Sequence, residues 1–295
     1  MTIKFSIIIP TYNRGNRICV TIDSVLKQRY RSFEIIVVDD GSTDNTEEII
    51  KSTYHQSKEV KYFKQMNAER GVARNHGATL ATGDYVNFFD SDDLMLPNHL
   101  EHAQKFLEVS KSEVFHLNYE IRNVEGKVIG KGPEGLVTAN ASLIKGNILS
   151  CNGVIMKREV ALANPFIEDR TLAGMEDWEL WLRLATMYPI HMIHQVTSVI
   201  VNHDGRSVLL PDNEKLVKRV SALIDLVLEN PQVTRYYQEH ISQFKSSCYT
   251  YIALHIALTK RSRTNALRFL WKGVSEDFSC LFTRRFLAIL KHLLW

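Results

Sequence analysis

Four short apolar runs, at residues 5–9, 33–38, 60–63 and 85–89, are separated by segments whose apolar residues recur at helical spacing, and that alternation limits what the chain can become. Strands that alternate with helices pair in parallel, because each crossover helix returns the chain to the same end of the sheet. Between the first two runs, Ile18, Ile22, Val25 and Leu26 form one helical stripe. After the second, Asp44 followed by Glu47 reads as a capping box opening another helix. The expected class is α/β, a βαβαβ start on a Rossmann-like, mainly parallel sheet flanked by helices.

Polar residues gather where these strands end: Thr11, Tyr12 and Asn13 after the first, Asp39 and Asp40 at the second, and Asp90, Ser91, Asp92 and Asp93 after the fourth. In open α/β sheets that edge binds ligands. The Asp90–Asp93 cluster forces carboxylates together, and a hard divalent cation, Mg²⁺ or Mn²⁺, relieves the repulsion while keeping positions for water and phosphate oxygens. Ordinary capping of the helix that begins near Pro97 is the alternative. Asp39 and Asp40 suit either a tight strand-to-helix turn or hydrogen bonds to a donor-rich partner such as a uracil N–H or ribose hydroxyls. Arg70 to Asn75 offers a helix start and two guanidinium groups, fit for a diphosphate or for a solvated basic face.

From about residue 113 the rhythm changes to strands at 114–121 and 128–129 and a Gly- and Pro-bearing loop at 130–135. Trp178, Trp181, Leu182 and Ala185 then share one helical face, which puts Glu176 and Asp177 at a helix N-terminus. Favourable charge at that terminus, worth about 0.3–1 kcal/mol, is the plain explanation for the two carboxylates. After Pro211 the pattern is wholly helical, with Leu216, Val220, Leu223, Ile224 and Val227 on one stripe. The chain divides at 1–112, 113–210 and 211–295.

With 45% hydrophobic and 23% charged residues, the composition excludes a predominantly disordered chain. The net charge of +3 conceals a basic tail, in which Lys260, Arg261, Arg263, Arg268, Lys272, Arg284, Arg285 and Lys291 face only Glu276 and Asp277. No nucleic-acid motif accompanies it, so nucleic acid is not an expected partner. Residues 282–295 place Phe286, Ile289, Leu290 and Leu293 on one face beside Arg284, Arg285, Lys291 and His292, which suits peripheral contact with an anionic membrane, the protein's own core, or a second subunit in a homo-oligomer. Nothing resembling a signal peptide precedes the first run, and no stretch reaches about 18 uninterrupted apolar residues. The expected location is cytoplasmic, at the inner face of the cell membrane if the tail binds lipid.

Five segments in order carry a resemblance. They are Ile7-Ile8-Ile9-Pro10-Thr11-Tyr12-Asn13, Val37-Val38-Asp39-Asp40-Gly41-Ser42-Thr43-Asp44, Gly71-Val72-Ala73-Arg74-Asn75-His76-Gly77, Phe88-Phe89-Asp90-Ser91-Asp92-Asp93, and Gly174-Met175-Glu176-Asp177-Trp178. Together they resemble glycosyltransferase family 2, whose nucleotide-sugar-binding domain has the GT-A fold. The resemblance implies a donor-binding half at 1–112, an acceptor-binding half with the catalytic base at 113–210, and a C-terminal helical region at 211–295.

It further implies that Thr11, Tyr12, Asn13 and Asp40 lie against the nucleoside, that Arg70 and Arg74 approach the donor phosphates, and that Asp90, Ser91 and Asp93 contact ribose, sugar or bound water. Asp92 and Asp90 would hold Mn²⁺ or Mg²⁺. Val201-Asn202-His203-Asp204-Gly205-Arg206-Ser207 resembles the family's later loop, from which His203 would complete the metal shell or touch the diphosphate. Asp177 falls at the position of the base, with Glu176 beside it. Asn118, Tyr119, Asn152 and Gly153 sit where an acceptor could bind.

The implied activity is metal-dependent, inverting transfer of a hexosyl or N-acetylhexosaminyl group from a nucleoside-diphosphate sugar, UDP first, to a hydroxyl of a glycan or lipid-linked acceptor in bacterial polysaccharide biosynthesis. A non-catalytic nucleotide-sugar-binding protein of the same fold would not need Asp177. A nucleotidyltransferase would carry a Gly-rich basic loop after its first strand, where this chain has Pro10-Thr11-Tyr12-Asn13-Arg14-Gly15. A dinucleotide oxidoreductase would need a G-x-G-x-x-G after a strand, and none occurs.

Overall fold

The computed structural model describes residues 2–203, 212–259 and 262–294. Residues 204–207 of the later loop, and Lys260, Arg261 and Trp295 of the basic tail, lie outside the described residues. The chain forms two compact units, Met1–Ala139 with Ile148–Ala173 and Met187–Asp204, and Asn140–Asn147 with Gly174–Thr186 and Gly205–Trp295.

The strands, all in the first unit, are β1 (Phe5–Thr11), β2 (Phe33–Asp39), β3 (Val60–Lys64), β4 (Tyr85–Phe88), β5 (Leu94–Met95), β6 (Val114–Asn123), β7 (Val128–Lys131), β8 (Val154–Lys157) and β9 (Ile190–Asn202). The helices are α1 (Ile18–Leu26), α2 (Thr46–Tyr54), α3 (Arg70–Leu80), α4 (His99–Val109), α5 (Asn140–Leu143), α6 (Arg158–Ala163), α7 (Glu176–Ala185), α8 (Asn213–Glu229), α9 (Pro231–Tyr236), α10 (Ile241–Thr259), α11 (Arg263–Glu276) and α12 (Arg284–Leu294).

In the sheet, β3-β2-β1-β4 run parallel, then β8 enters antiparallel between β4 and β6, and the order ends β6-β9-β5. The long β6–β9 ladder is parallel, while β5 and β7 add short antiparallel pairings. The expected α/β class, with a mixed, mainly parallel sheet and a helical C-terminal extension, is what the chain adopts.

Every residue of β1 and β2 is buried, as central parallel strands covered on both faces require. One face, through Ile7, Ile9, Ile35 and Val37, meets Ile18, Ile22 and Val25 of α1 and Leu100 and Ala103 of α4. The other receives α3 so closely that a Cβ on Gly77 would come within 2.3 Å of Ile8, so only glycine fits. Pro10, without an N–H, lies beyond Ile8, the last β1 residue paired with β4, where those two strands part.

The capping box expected at Asp44 and Glu47 forms differently. Asp44 does accept from the Thr46 backbone at 3.0 Å, but the N-cap position is Asn45 and Glu47 turns instead to Lys51 and Lys64, each at 2.7 Å. Two ammonium groups attract a carboxylate more strongly than one backbone N–H does.

The second unit is wholly helical among its described residues. In α8, Val220, Leu223, Ile224 and Val227 are buried, four of the five stripe residues the periodicity marks, and Asp212 caps the helix through Glu214 and Lys215. Asn230 caps α9, which opens on Pro231. Trp178 of α7 packs edge-on against Phe244 of α10 and donates its indole N–H to Leu143 O at 2.8 Å. In α12, Ile289 and Leu293 are buried. Among the described residues no helix is long and apolar enough to cross a membrane.

Candidate active site

The carboxyl ends of β1, β2 and β4 lie side by side in register, so their polar termini share one edge of the sheet. Thr11, the last residue of β1, is buried and its hydroxyl has no hydrogen-bond partner, an orphaned polar group at the edge where a ligand is expected. Tyr12 is 47% exposed. Asn13, at φ 50, turns the chain inward: its side-chain oxygen accepts from the Thr43 backbone at 2.8 Å, and its own N–H donates to Ser42 Oγ at 2.9 Å. The Asn13 oxygen therefore ties the two loops together.

Asp39 and Asp40 are both buried and have different tasks. Asp39 accepts from Ser42 N at 2.7 Å and from Tyr62 OH at 2.6 Å. Burial first, then that bond to Asp39, push the Tyr62 phenol up, which keeps it a donor. Asp40 accepts from Gln65 Nε2, Ala68 N, Asn67 Nδ2 and Glu69 N at 2.8–3.1 Å. Four bonds match the acceptor capacity of a carboxylate, so Asp40 frames residues 65–69, the approach to α3. Arg170, which the sequence reading did not single out, holds the same segment by donating to Asn67 O and Oδ1.

Arg70 opens α3 in a half-buried position. One turn on, Arg74 is 2% exposed, donates to Asp90 Oδ1 at 2.9 Å and lies 5.2 Å from the Phe166 ring centroid. Asn75 fixes Phe166 by exchanging hydrogen bonds with its backbone at 2.8 and 2.9 Å. A planar guanidinium serves both contacts at once.

The acidic loop sits between β4 and β5, and β5 pairs with β9 through Leu94↔Val199. That pairing brings the end of β9 beside the loop. His203 Nε2 reaches Asp92 Oδ2 at 3.0 Å, and Arg14 Nη2 lies 3.5 Å from the same oxygen. Ser91 is buried. Asp93 accepts from Val201 N at 2.8 Å through one oxygen and from Asn152 Nδ2 at 2.7 Å through the other. Asn152 Oδ1 in turn accepts from Asp90 N at 2.8 Å.

Asn118 and Asn152 are both buried, Asn118 donating to Pro133 O at 3.0 Å. Arg14 was visible in sequence only as part of the loop after β1.

Among the described residues no group of three or more His, Cys, Asp and Glu side chains could hold a metal. Asp92 and His203 nevertheless supply an oxygen and a nitrogen that face each other. Such a pair fits a Mg²⁺ or Mn²⁺ ion that takes its remaining ligands from water and substrate phosphates.

Glu176 and Asp177 belong to the second unit, as the first two residues of α7. The buried Glu176 accepts from Gly174 N. Asp177 accepts from Trp178 N at 2.7 Å through one oxygen and from Asn147 Nδ2 at 3.0 Å through the other. The expected face of Trp178, Trp181, Leu182 and Ala185 is buried, which fixes α7 and the direction of its first turn.

The sequence profile of Glycosyl transferase family 2 matches residues 6–160. The chain is 30% identical over 233 residues to WfgD of Escherichia coli, a UDP-Glc:alpha-D-GlcNAc-diphosphoundecaprenol beta-1,3-glucosyltransferase, covering 79% of this chain and 89% of that one. It spans 34% to 38% of the length of three uncharacterized Rickettsia glycosyltransferases that it also matches.

Among solved structures, S. aureus TarS 1–349 in complex with UDP-GlcNAc superposes with a TM-score of 0.64 at 19% identity, covering 92% of this chain and 89% of that one. The mannosyltransferase PcManGT from Pyrobaculum calidifontis, in complex with GDP-Man and Mn²⁺, superposes with a TM-score of 0.61 at 17% identity, covering 100% of this chain and 88% of that one. These superpositions agree with a GT-A fold.

Proposed function

Because the chain belongs to glycosyltransferase family 2, we propose that it is a divalent-cation-dependent, inverting transferase that moves a hexosyl or N-acetylhexosaminyl group from a nucleoside-diphosphate sugar to an acceptor hydroxyl. The observation that carries this is the Asp92–His203 pair at the ligand edge of the sheet, beside Asp90 and its buried Arg74 partner. A UDP-sugar is the first choice of donor and a lipid-linked glycan the first choice of acceptor, in bacterial polysaccharide assembly. WfgD, by its name, uses UDP-Glc and a diphosphoundecaprenol acceptor, and TarS binds UDP-GlcNAc. PcManGT, a fold neighbour, binds Mn²⁺ with GDP-Man.

In this reading Thr11 and Tyr12 receive the nucleoside, the first with its unpartnered hydroxyl and the second from an exposed position. Asp40 and Asn13 hold the loops that shape that site. Arg70 and Arg74 face the donor phosphates, and Asp90 and Ser91 the ribose and sugar. Asp92 and His203 would hold Mn²⁺ or Mg²⁺, which when bound supplies charge neutralisation for the departing diphosphate.

Asp177 accepts the proton of the acceptor hydroxyl as its oxygen attacks the anomeric carbon. Hydrogen bonds from Trp178 N and Asn147 Nδ2 hold the carboxylate in place, and Glu176 steadies the turn before it. A nucleoside diphosphate leaves without protonation, so one carboxylate suffices, and attack opposite the leaving group inverts configuration.

Peripheral attachment to the inner face of an anionic membrane completes the reading. With Ile289 and Leu293 turned inward, α12 still exposes Arg284, Leu287, Lys291 and Leu294 along one stripe, next to the 91% exposed Phe282.

The test is release or transfer from a panel of UDP-, dTDP- and GDP-sugars with Mn²⁺, with and without chelator. Chelator-sensitive release of one nucleoside diphosphate, lost in Asp177→Asn while donor binding persists, is the expected result. Release from no donor overturns the reading.

A further inference from the structure

We propose that Asn152 is a positioning residue: its side-chain amide sets where Asp92 stands relative to His203. The inference rests on the reading of Asp92 and His203 as the cation-holding pair. Asn152 is 1% exposed in the turn before β8. Its Oδ1 accepts from Asp90 N at 2.8 Å and its Nδ2 donates to Asp93 Oδ2 at 2.7 Å, so one amide grips the acidic loop on both sides of Asp92. The other oxygen of Asp93 accepts from Val201 N at 2.8 Å, two residues before His203. The loop and the strand end that bear the two facing groups are thereby fastened to each other through Asp93, and to β8 through Asn152.

Asn152 is itself immobilised. The buried Asn87 amide donates to Asn152 O at 3.0 Å and Val154 O at 2.8 Å. A Cβ on the next residue, Gly153, would come within 2.2 Å of Leu117 O, so the turn presses on β6 as only glycine allows.

The polarity of these three hydrogen bonds is specified. Asn152 must accept on one side and donate on the other, which an amide does and a carboxylate does not. In Asp93→Asn, an NH₂ group meets either Val201 N–H or the Asn152 NH₂, and flipping Asn152 only moves the conflict to Asp90 N–H. In Asn152→Asp, two carboxylates face each other. The reciprocal double variant, Asp93→Asn with Asn152→Asp, restores all three hydrogen bonds and the original net charge, since the amide and the carboxylate have merely traded places.

The experiment titrates Mn²⁺ into the full chain with UDP present, reading free Mn²⁺ by electron paramagnetic resonance well below the melting temperature of the least stable variant. The parent, both single variants and the double are compared with Leu107→Ala, a core truncation in α4 that lowers stability without touching the network. Expected is an Mn²⁺ midpoint raised at least tenfold in each single, returned to within twofold of the parent in the double, and unchanged in Leu107→Ala. Singles that bind Mn²⁺ like the parent, or a double no better than the singles, overturn the positioning role alone. A parent that binds no Mn²⁺ overturns the cation site and this inference together, whereas tight parental Mn²⁺ binding without sugar release from any donor removes the transferase reading and leaves the network intact.

Discussion

Asp92 Oδ2 and His203 Nε2 stand 3.0 Å apart although 111 residues separate them in the chain, and β5 pairing with β9 is what closes that distance. His203→Ala removes the nitrogen and leaves the carboxylate. It should raise the Mn²⁺ concentration for half-maximal sugar release about tenfold or more, with a smaller change at saturating metal. Asp92→Asn should lower the rate at saturating metal as well. Metal titrations of initial rate check both, and a His203→Ala midpoint equal to the parent's removes His203 from the site.

Asp177→Asn keeps the shape of the side chain and removes its basicity. A loss in kcat of about 10²–10⁴-fold is expected, with donor affinity unchanged by calorimetry. Asn147→Ala removes one hydrogen bond to the Asp177 carboxylate and should cost roughly tenfold in kcat. If Asp177→Asn turns over at the parental rate, another group accepts the proton.

Acid should destabilise the first unit well before its carboxylates protonate. Burial pushes both His99 and His116 down to about 3, with neighbouring His99 adding to the effect at His116. The folded chain holds them neutral, while the unfolded chain binds a proton at each below about 6.5. Their stabilisation is full above that value and is lost as pH falls from 6.5 toward 3, on the order of 2 kcal/mol per histidine by pH 5.

Glu34 adds to this only at lower pH. Burial would raise it, but hydrogen bonds from Lys61, Ser6 and Thr82 hold it at about 2, so its share fades between about 4.5 and 2. Melting curves from pH 7.5 to 4 should show Tm falling, with a shallower slope in His116→Gln. An identical slope in that variant would mean His116 is already charged in the folded protein.

The exposed stripe of α12 predicts flotation with anionic vesicles and not with zwitterionic ones. Deleting α12 is a poor probe, because it also removes Ile289 and Leu293 from the interior of the second unit. Arg284→Glu with Lys291→Glu leaves that interior alone. At about 1 kcal/mol per basic residue near the surface, the double reversal should abolish flotation. Retention by the reversed protein would show that charge does not attach it.

The strands β1 to β4 and the acidic loop were legible because each apolar run is long enough to stand out and ends in polar residues at the same edge. β8 and β9 were not. β8 has only four residues, and β9 mixes buried with exposed positions because its flanks differ along its length. The hydrogen bonds of Asn152 were not legible, because its partners lie 59 and 62 residues away and a single asparagine in a turn carries no sign of them. Asn13 and Asp40 were picked out correctly as residues of the edge, yet local sequence could not reveal that their oxygens are taken by neighbouring loops.

The backbone leaves and re-enters each compact unit, so each is assembled from three separate stretches of chain. No single cut yields either half as a continuous fragment. A chimaera meant to replace the second compact unit would have to exchange Asn140–Asn147 and Gly174–Thr186 along with the C-terminal segment. Transplanting the C-terminal segment alone would leave α7, and Asp177 with it, behind in the host.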